Sequence, residues 1–200
     1  MFKKSTILKI FVLLIPALLP LNAYAVTFPN LSQMIDNINA QLPYLWELVT
    51  AFAYLSGFFF IFKGIFHLKA YGDPHSQMSG GKDIRPGLVS LILGAALIYS
   101  PTAMQTGLAS VFGTTSAMAY PTGSGTDPSF SELGQVLVAI VQFVGAVAFI
   151  RGLMQFQRLG SGQAQQGTFG KGLTHIVGGT LALNVVGTAN VLASTLGISW

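Results

Sequence analysis

Residues 51–72 read AFAYLSGFFFIFKGIFHLKAYG, and residues 139–160 read AIVQFVGAVAFIRGLMQFQRLG. A shift of 88 residues lays one on the other, so that Ala51 meets Ala139, Gly57 meets Gly145, Lys63 meets Arg151, Gly64 meets Gly152 and Gly72 meets Gly160. Both stretches are apolar for most of their length. A bilayer core of about 30 Å takes about 20 helical residues, and a helix satisfies every backbone amide inside lipid where an open strand does not. The duplicated stretch therefore predicts two copies of one membrane-crossing helix.

The likeness continues downstream after a three-residue difference in loop length. PGLVSLILGAALIYSPTA, from residue 86, lies over KGLTHIVGGTLALNVVGTA, from residue 171, and matches Gly87 with Gly172 and Gly94 with Gly179. LASVFG at 108–113 then resembles LASTLG at 192–197. Apolar segments at 45–66, 88–112, 133–156 and 173–198 are each long enough to span. Within the second, Pro101 is expected to bend or locally open the helix, since apolar residues continue to Phe112. The expected fold is all-α: two tandem helical hairpins, each crossing and returning, related by parallel and not inverted topology.

Composition agrees with a membrane chain. Of 200 residues, 52% are hydrophobic and 8% are charged, against about 25% charged in an average soluble domain. So few charges hardly cover the surface of a soluble fold. The net charge of +4 comes from too few and too regularly placed cations for a nucleic-acid surface. With no cysteine, disulfides, thiolate metal sites and cysteine nucleophiles are excluded.

The amino terminus reads as a targeting segment. Lys3, Lys4 and Lys9 precede an apolar run at 10–21, and Ala23-Tyr24-Ala25 presents the small-x-small pattern of a signal-peptidase site, with cleavage between Ala25 and Val26. An uncleaved first anchor is the alternative. The expected organisation is a signal peptide at 1–25, a periplasmic amphipathic segment at 26–44, a first hairpin at 45–113, a periplasmic linker at 114–132 and a second hairpin at 133–200. In the amphipathic segment Leu31, Met34, Ile35, Ile38 and Leu42 recur at helical spacing, Asn30 is a candidate cap, and Pro43 is expected to redirect the chain. That helix is expected on the outer leaflet, on a partner, or on its own bundle.

Charge sets the orientation. The seven cations beyond the leader fall at two connections: Lys63, Lys69, Lys82 and Arg85 at one, Arg151, Arg158 and Lys171 at the other. Asp36, Glu47, Asp127 and Glu132 lie on the opposite side, while Asp73 and Asp83 share the first connection. By the positive-inside rule both connections face the cytoplasm, which places the chain in a bacterial inner membrane with both mature termini in the periplasm. Lys63 and Arg151 then read as snorkelling boundary residues, and a functional intramembrane cation is the alternative.

Small residues mark the packing faces. Gly57 and Gly64 are seven residues apart, as are Gly145 and Gly152, which places each pair two turns apart on one helix face. Gly94 and Gly179, with Ala95, Ala96 and Gly178 beside them, give the returning helices small surfaces too. Such positions favour close helix association in lipid.

Catalytic signals are weak. QQGTFGKGLT fails as a phosphate loop because Gln165 and Gly172 occupy positions that need glycine and a hydroxyl residue. His67, His75 and His175 have no acidic residue at metal-motif spacing. No catalytic, cofactor-binding or metal-binding residue is assigned, and no enzyme activity is expected.

A signal segment followed by two apolar helices around a short basic loop resembles the pilin-like subunits of type IV secretion and conjugation systems, here duplicated. LKAYG, MSGGKDIRPGLVSLILGAALIYSPTA and SVFGTTSAMAY, within residues 68–120, resemble the IcmC/DotE family, inner-membrane components of the Dot/Icm type IVB secretion system related to the conjugative TraQ proteins. The sibling DotV family is similar. The resemblance implies a structural subunit that supports effector translocation, with other Dot/Icm inner-membrane and periplasmic subunits and pilin-like homologues as partners. It implies lipid as surroundings, effectors as indirect cargo only, and a role in virulence. It brings no catalytic residue. A small stand-alone channel or transporter, and a pilus-forming subunit, are the alternative functions.

Overall fold

The computed structural model describes residues 30–72, 83–121, 128–160 and 165–198. The signal segment with Ala25 and Val26, and Lys82 in the first turn, lie outside the described residues. Among those described, every regular element is an α-helix: α1 Leu31–Gly72, α2 Arg85–Ile98, α3 Ser100–Phe112, α4 Pro128–Gly160, α5 Thr168–Leu183 and α6 Val185–Thr195. From Leu31 onward the chain packs as one unit.

α1 has 42 residues and α4 has 33, which at 1.5 Å per residue gives about 63 Å and about 50 Å. Both are long and apolar enough to cross a membrane. α1 runs unbroken through Pro43, so the segment expected to be a separate helix ending there is the first part of α1. Proline removes one backbone bond and crowds the carbonyl four residues earlier. Packing on both sides carries the helix across that defect. Ile35 and Leu42 are buried before it, and Trp46 meets Phe143 edge-on after it, with ring centroids 6.0 Å apart. Leu31, Met34 and Ile38, from the same predicted stripe, remain exposed. The expected linker is also shorter than 114–132, because α4 already begins at Pro128, a residue suited to a first helical turn.

The first returning helix bends beside Pro101 as expected, and the second, which carries no proline, bends as well. α2 and α3 are bent by 89° at Tyr99, and α5 and α6 by 91° at Asn184. α2 has 14 residues and α5 has 16, or about 21 Å and about 24 Å, both short of the bilayer core of about 30 Å. The described residues thus hold two uninterrupted candidate spans, and four only if each bent pair counts as one.

Packing follows the repeat. α1 lies along α2 and α4 along α5, which makes two hairpins, and α4 then seats against α1 and α2. Ala53, Leu97, Phe149, Ile150 and Leu153 form the main core, and Leu108, Ala146 and Leu183 form a second. Both cores draw on both hairpins. The buried amide of Gln157 donates to Ser90 Oγ at 3.4 Å, and Gly160 presses on Val89. These contacts put the two turns, α1 to α2 and α4 to α5, at the same end of the bundle. At the opposite end Ser32 donates to Glu132 Oε2 at 3.5 Å.

Candidate functional site

The glycines singled out by spacing pair with one another inside each hairpin. A Cβ added at Gly57 would lie 2.8 Å from the Gly94 carbonyl oxygen, and one at Gly94 would lie 2.9 Å from that of Gly57. One turn pair further along, a Cβ on Gly64 would lie 3.0 Å from Gly87 O. The second hairpin repeats the pattern: Gly179 approaches Gly145 O to 2.8 Å and Gly152 approaches Gly172 O to 3.0 Å, both measured from an added Cβ. Backbone meets backbone at these points, so only a hydrogen fits. Gly87 and Gly172 complete the seams, a role that their alignment in the repeat signals but their own short context does not. Gly178, beside Gly179, has nothing within 4 Å and faces outward.

These faces are occupied within the chain. The outer surface is built from larger apolar groups, among them Phe52, Leu55, Phe59, Phe66, Ile92 and Val144, all exposed. An apolar surface of this extent marks a membrane or interaction surface, which is consistent with a membrane protein.

The two helix breaks reach nearly the same angle by different chemistry. In the first hairpin Pro101 has no N–H to give the Leu97 carbonyl, and Tyr99 leaves helical geometry with ψ of 31°. In the second there is no proline. Asn184 takes φ −122° and ψ 60°, and its Oδ1 caps α6 by accepting from Gly187 N–H at 3.2 Å. The same oxygen accepts from Met118 N–H at 2.9 Å, which ties the segment after α3 to the second break. Asn184 is buried, and Thr188 Oγ1 donates to the carbonyls of Leu181 and Asn184 across the break. The sequence signal for this break is an asparagine inside an apolar run, aligned by the repeat with Tyr99.

The bent arms end alike. Gly113 and Gly197 both take left-handed backbone, with φ of 71° and 73°. Gly113 N–H donates to Ala109 O, while Gly197 and Ile198 donate to Ser194 O and Ala193 O in the two-bond form of the same cap.

Beside the first break lies a cavity of about 230 Å³ lined by Trp46, Thr50, Ser100, Pro101, Gln105 and Leu183. Ser100 is buried there. Its walls come from both hairpins and are mostly apolar, Val49, Met104, Leu108 and Ile150 completing them around the polar Thr50, Ser100 and Gln105.

The described cations sit at the end that carries the two turns. Lys69 and Arg158 are in the last turns of α1 and α4, Arg85 opens α2, and Lys171 lies in the first turn of α5. Arg85 is exposed and lies 3.9 Å from Asp83, a separation at which a solvated pair contributes little. Lys63 and Arg151 each stand nine residues, about 13 Å, before the helix end. Lys63 lines a groove with Phe59, Phe66 and Asp83, and Arg151 lines an apolar one with Phe52, Val147 and Met154. Among the described residues no group of three His, Asp or Glu comes together.

No family model matches this chain. No curated protein and no solved structure matches it either.

Proposed function

We propose that this chain is a non-enzymatic structural subunit of the bacterial inner membrane, belonging to a type IVB secretion machine of the Dot/Icm kind that exports effector proteins. The observation that carries the reading is the division of its surface. Small faces are closed inside each hairpin, so each hairpin is a preassembled unit, while the bulky apolar exterior is left for lipid and for the helices of neighbouring subunits. The basic turns hold that unit with both turns in the cytoplasm and both mature termini in the periplasm. The resemblance of residues 68–120 to IcmC/DotE supplies the identity of the machine and its partners: other inner-membrane and periplasmic subunits, pilin-like ones included.

Crosslinking in intact bacteria followed by purification of the tagged chain tests this. The expected result is recovery of other inner-membrane and periplasmic secretion subunits, with effector export lost when the gene is deleted. Recovery of none of them, with export intact in the deletion, would overturn it.

A second reading, a small channel or transporter acting alone, is favoured by the paired helix breaks and the cavity beside one of them. Discontinuous helices expose backbone groups that coordinate ions in transporters. Solute flux through the purified chain in liposomes is the outcome that would replace the structural reading with this one.

A further inference from the structure

The two hairpins are not related by a two-fold axis. α4 packs against α1, α2 and α3, whereas α5 reaches the first hairpin principally through α3. Under a two-fold, the contact of α4 with α2 would be mirrored by an equal contact of α1 with α5. The second hairpin therefore docks on the first head to tail, and a head-to-tail contact leaves one face of each kind unpaired.

The repeat identifies those two faces. The docking face of α4 carries Ala146, Ile150 and Leu153, exposed by 0%, 3% and 8%. Their counterparts on α1 are Phe58, Phe62 and Ile65, exposed by 54%, 59% and 51%. One face is covered by the other hairpin; its twin is bare. On the receiving side Val89, Leu93 and Leu97 of α2 correspond to Thr174, Gly178 and Ala182 of α5, of which Thr174 and Gly178 are exposed.

The bare receiving face has room for larger side chains. Inside the chain the branched Ile150 and Leu153 share a core with the large Leu93 and Leu97, while Ala146 packs with Leu108 and Leu183. On the bare faces the large Phe62 and Ile65 belong opposite the small Gly178 and Ala182. The polar pair is replaced in step. Gln157 donates to Ser90 inside the chain, and the equivalents are Lys69 and His175. The Lys171 carbonyl only accepts, so the 2.6 Å contact from His175 Nδ1 places a hydrogen on Nδ1, and in the neutral ring Nε2 is then the acceptor that a Lys69 ammonium can meet.

We infer that the bare α1 face, Phe58, Phe62, Ile65 and Lys69, docks into the α4 and α5 groove of a second copy of this chain. The contact reuses the geometry by which the second hairpin docks on the first. Because it is head to tail, it continues from copy to copy into a ring or a filament. This goes beyond the proposed role and rests on the repeat alone, so it stands or falls separately from membership of a secretion machine.

The chain has no native cysteine, which makes disulfide mapping direct. Val89 and Gly160 touch within one chain, and their counterparts across the inferred contact are Thr174 and Gly72. Full-length chains carrying Gly72→Cys and Thr174→Cys, with different tags, are coexpressed and oxidised in membranes. The expected result is a mixed-tag disulfide dimer at least ten-fold above a Gly72→Cys and Ser32→Cys control, with a ladder beyond dimer when both substitutions share one chain. Val89→Cys with Gly160→Cys, which closes within one chain, verifies that the bundle is folded. A closed internal pair with no mixed-tag dimer means that lipid or another protein covers the faces, and it overturns the inference. Dimers joined Gly72→Cys to Gly72→Cys as strongly as the mixed pair overturn it as well.

Discussion

Gly57 and Gly94 approach until a Cβ on either would sit under 3.0 Å from the carbonyl oxygen of the other. Real Cβ atoms essentially never come so close, and the obstructing atom is backbone, which cannot rotate away. Replacing glycine by alanine in a helix gains about 1 kcal/mol of propensity, but overpacking a tight contact costs about 1–3 kcal/mol. At this seam the clash prevails.

Gly57→Ala and Gly145→Ala are each expected to destabilise the folded chain by up to about 2 kcal/mol, and Gly57→Leu by more. Gly178→Ala, in open space, is expected to be neutral or to stabilise by up to about 1 kcal/mol. Reversible unfolding in mixed detergent micelles measures all four. Equal effects at Gly178 and Gly57 would contradict the seam.

Much of this was legible in the sequence, and the reasons for the rest are physical. Long apolar runs force helices wherever lipid replaces water, so the all-helical architecture follows from composition and segment length. A seven-residue glycine spacing names a helix face but not its partner. That Gly57 faces Gly94 in the same hairpin depends on how α2 returns, which is a tertiary fact. Pro101 signals its bend because proline removes a donor, whereas Asn184 achieves the same bend through a side-chain cap that single-residue propensity does not reveal. Pro43 misleads in the opposite sense, since buried neighbours carry the helix through it.

The cap at Asn184 has its own expected signature. Asn184→Ala removes the acceptor for both Gly187 N–H and Met118 N–H, at a cost of about 1–3 kcal/mol. Asn190→Ala, which gives up only a 3.9 Å contact with Met118 sulfur, is expected to cost a few tenths of a kcal/mol. The same unfolding measurement separates them, and equal losses would contradict the role of the cap.

The buried bond from Gln157 to Ser90 joins the hairpins near the end that carries the turns. A double-mutant cycle with Gln157→Leu and Ser90→Ala is expected to give a coupling of about 0.6 kcal/mol, within the range found for interhelical bonds in membranes. Zero coupling would mean that apolar packing alone holds the hairpins in register.

The docking of one hairpin on the other and its extension to further copies both require the two turns on one side of the membrane. Single cysteines at Gln77 and Ser161, in the two turns, and at Ser124, between the hairpins, are probed with an impermeant thiol reagent in spheroplasts and after permeabilisation. Ser124→Cys is expected to react in intact spheroplasts, while Gln77→Cys and Ser161→Cys react only once the membrane is opened. Labelling of Gln77→Cys and Ser161→Cys from opposite sides would mean inverted hairpins and would contradict that docking.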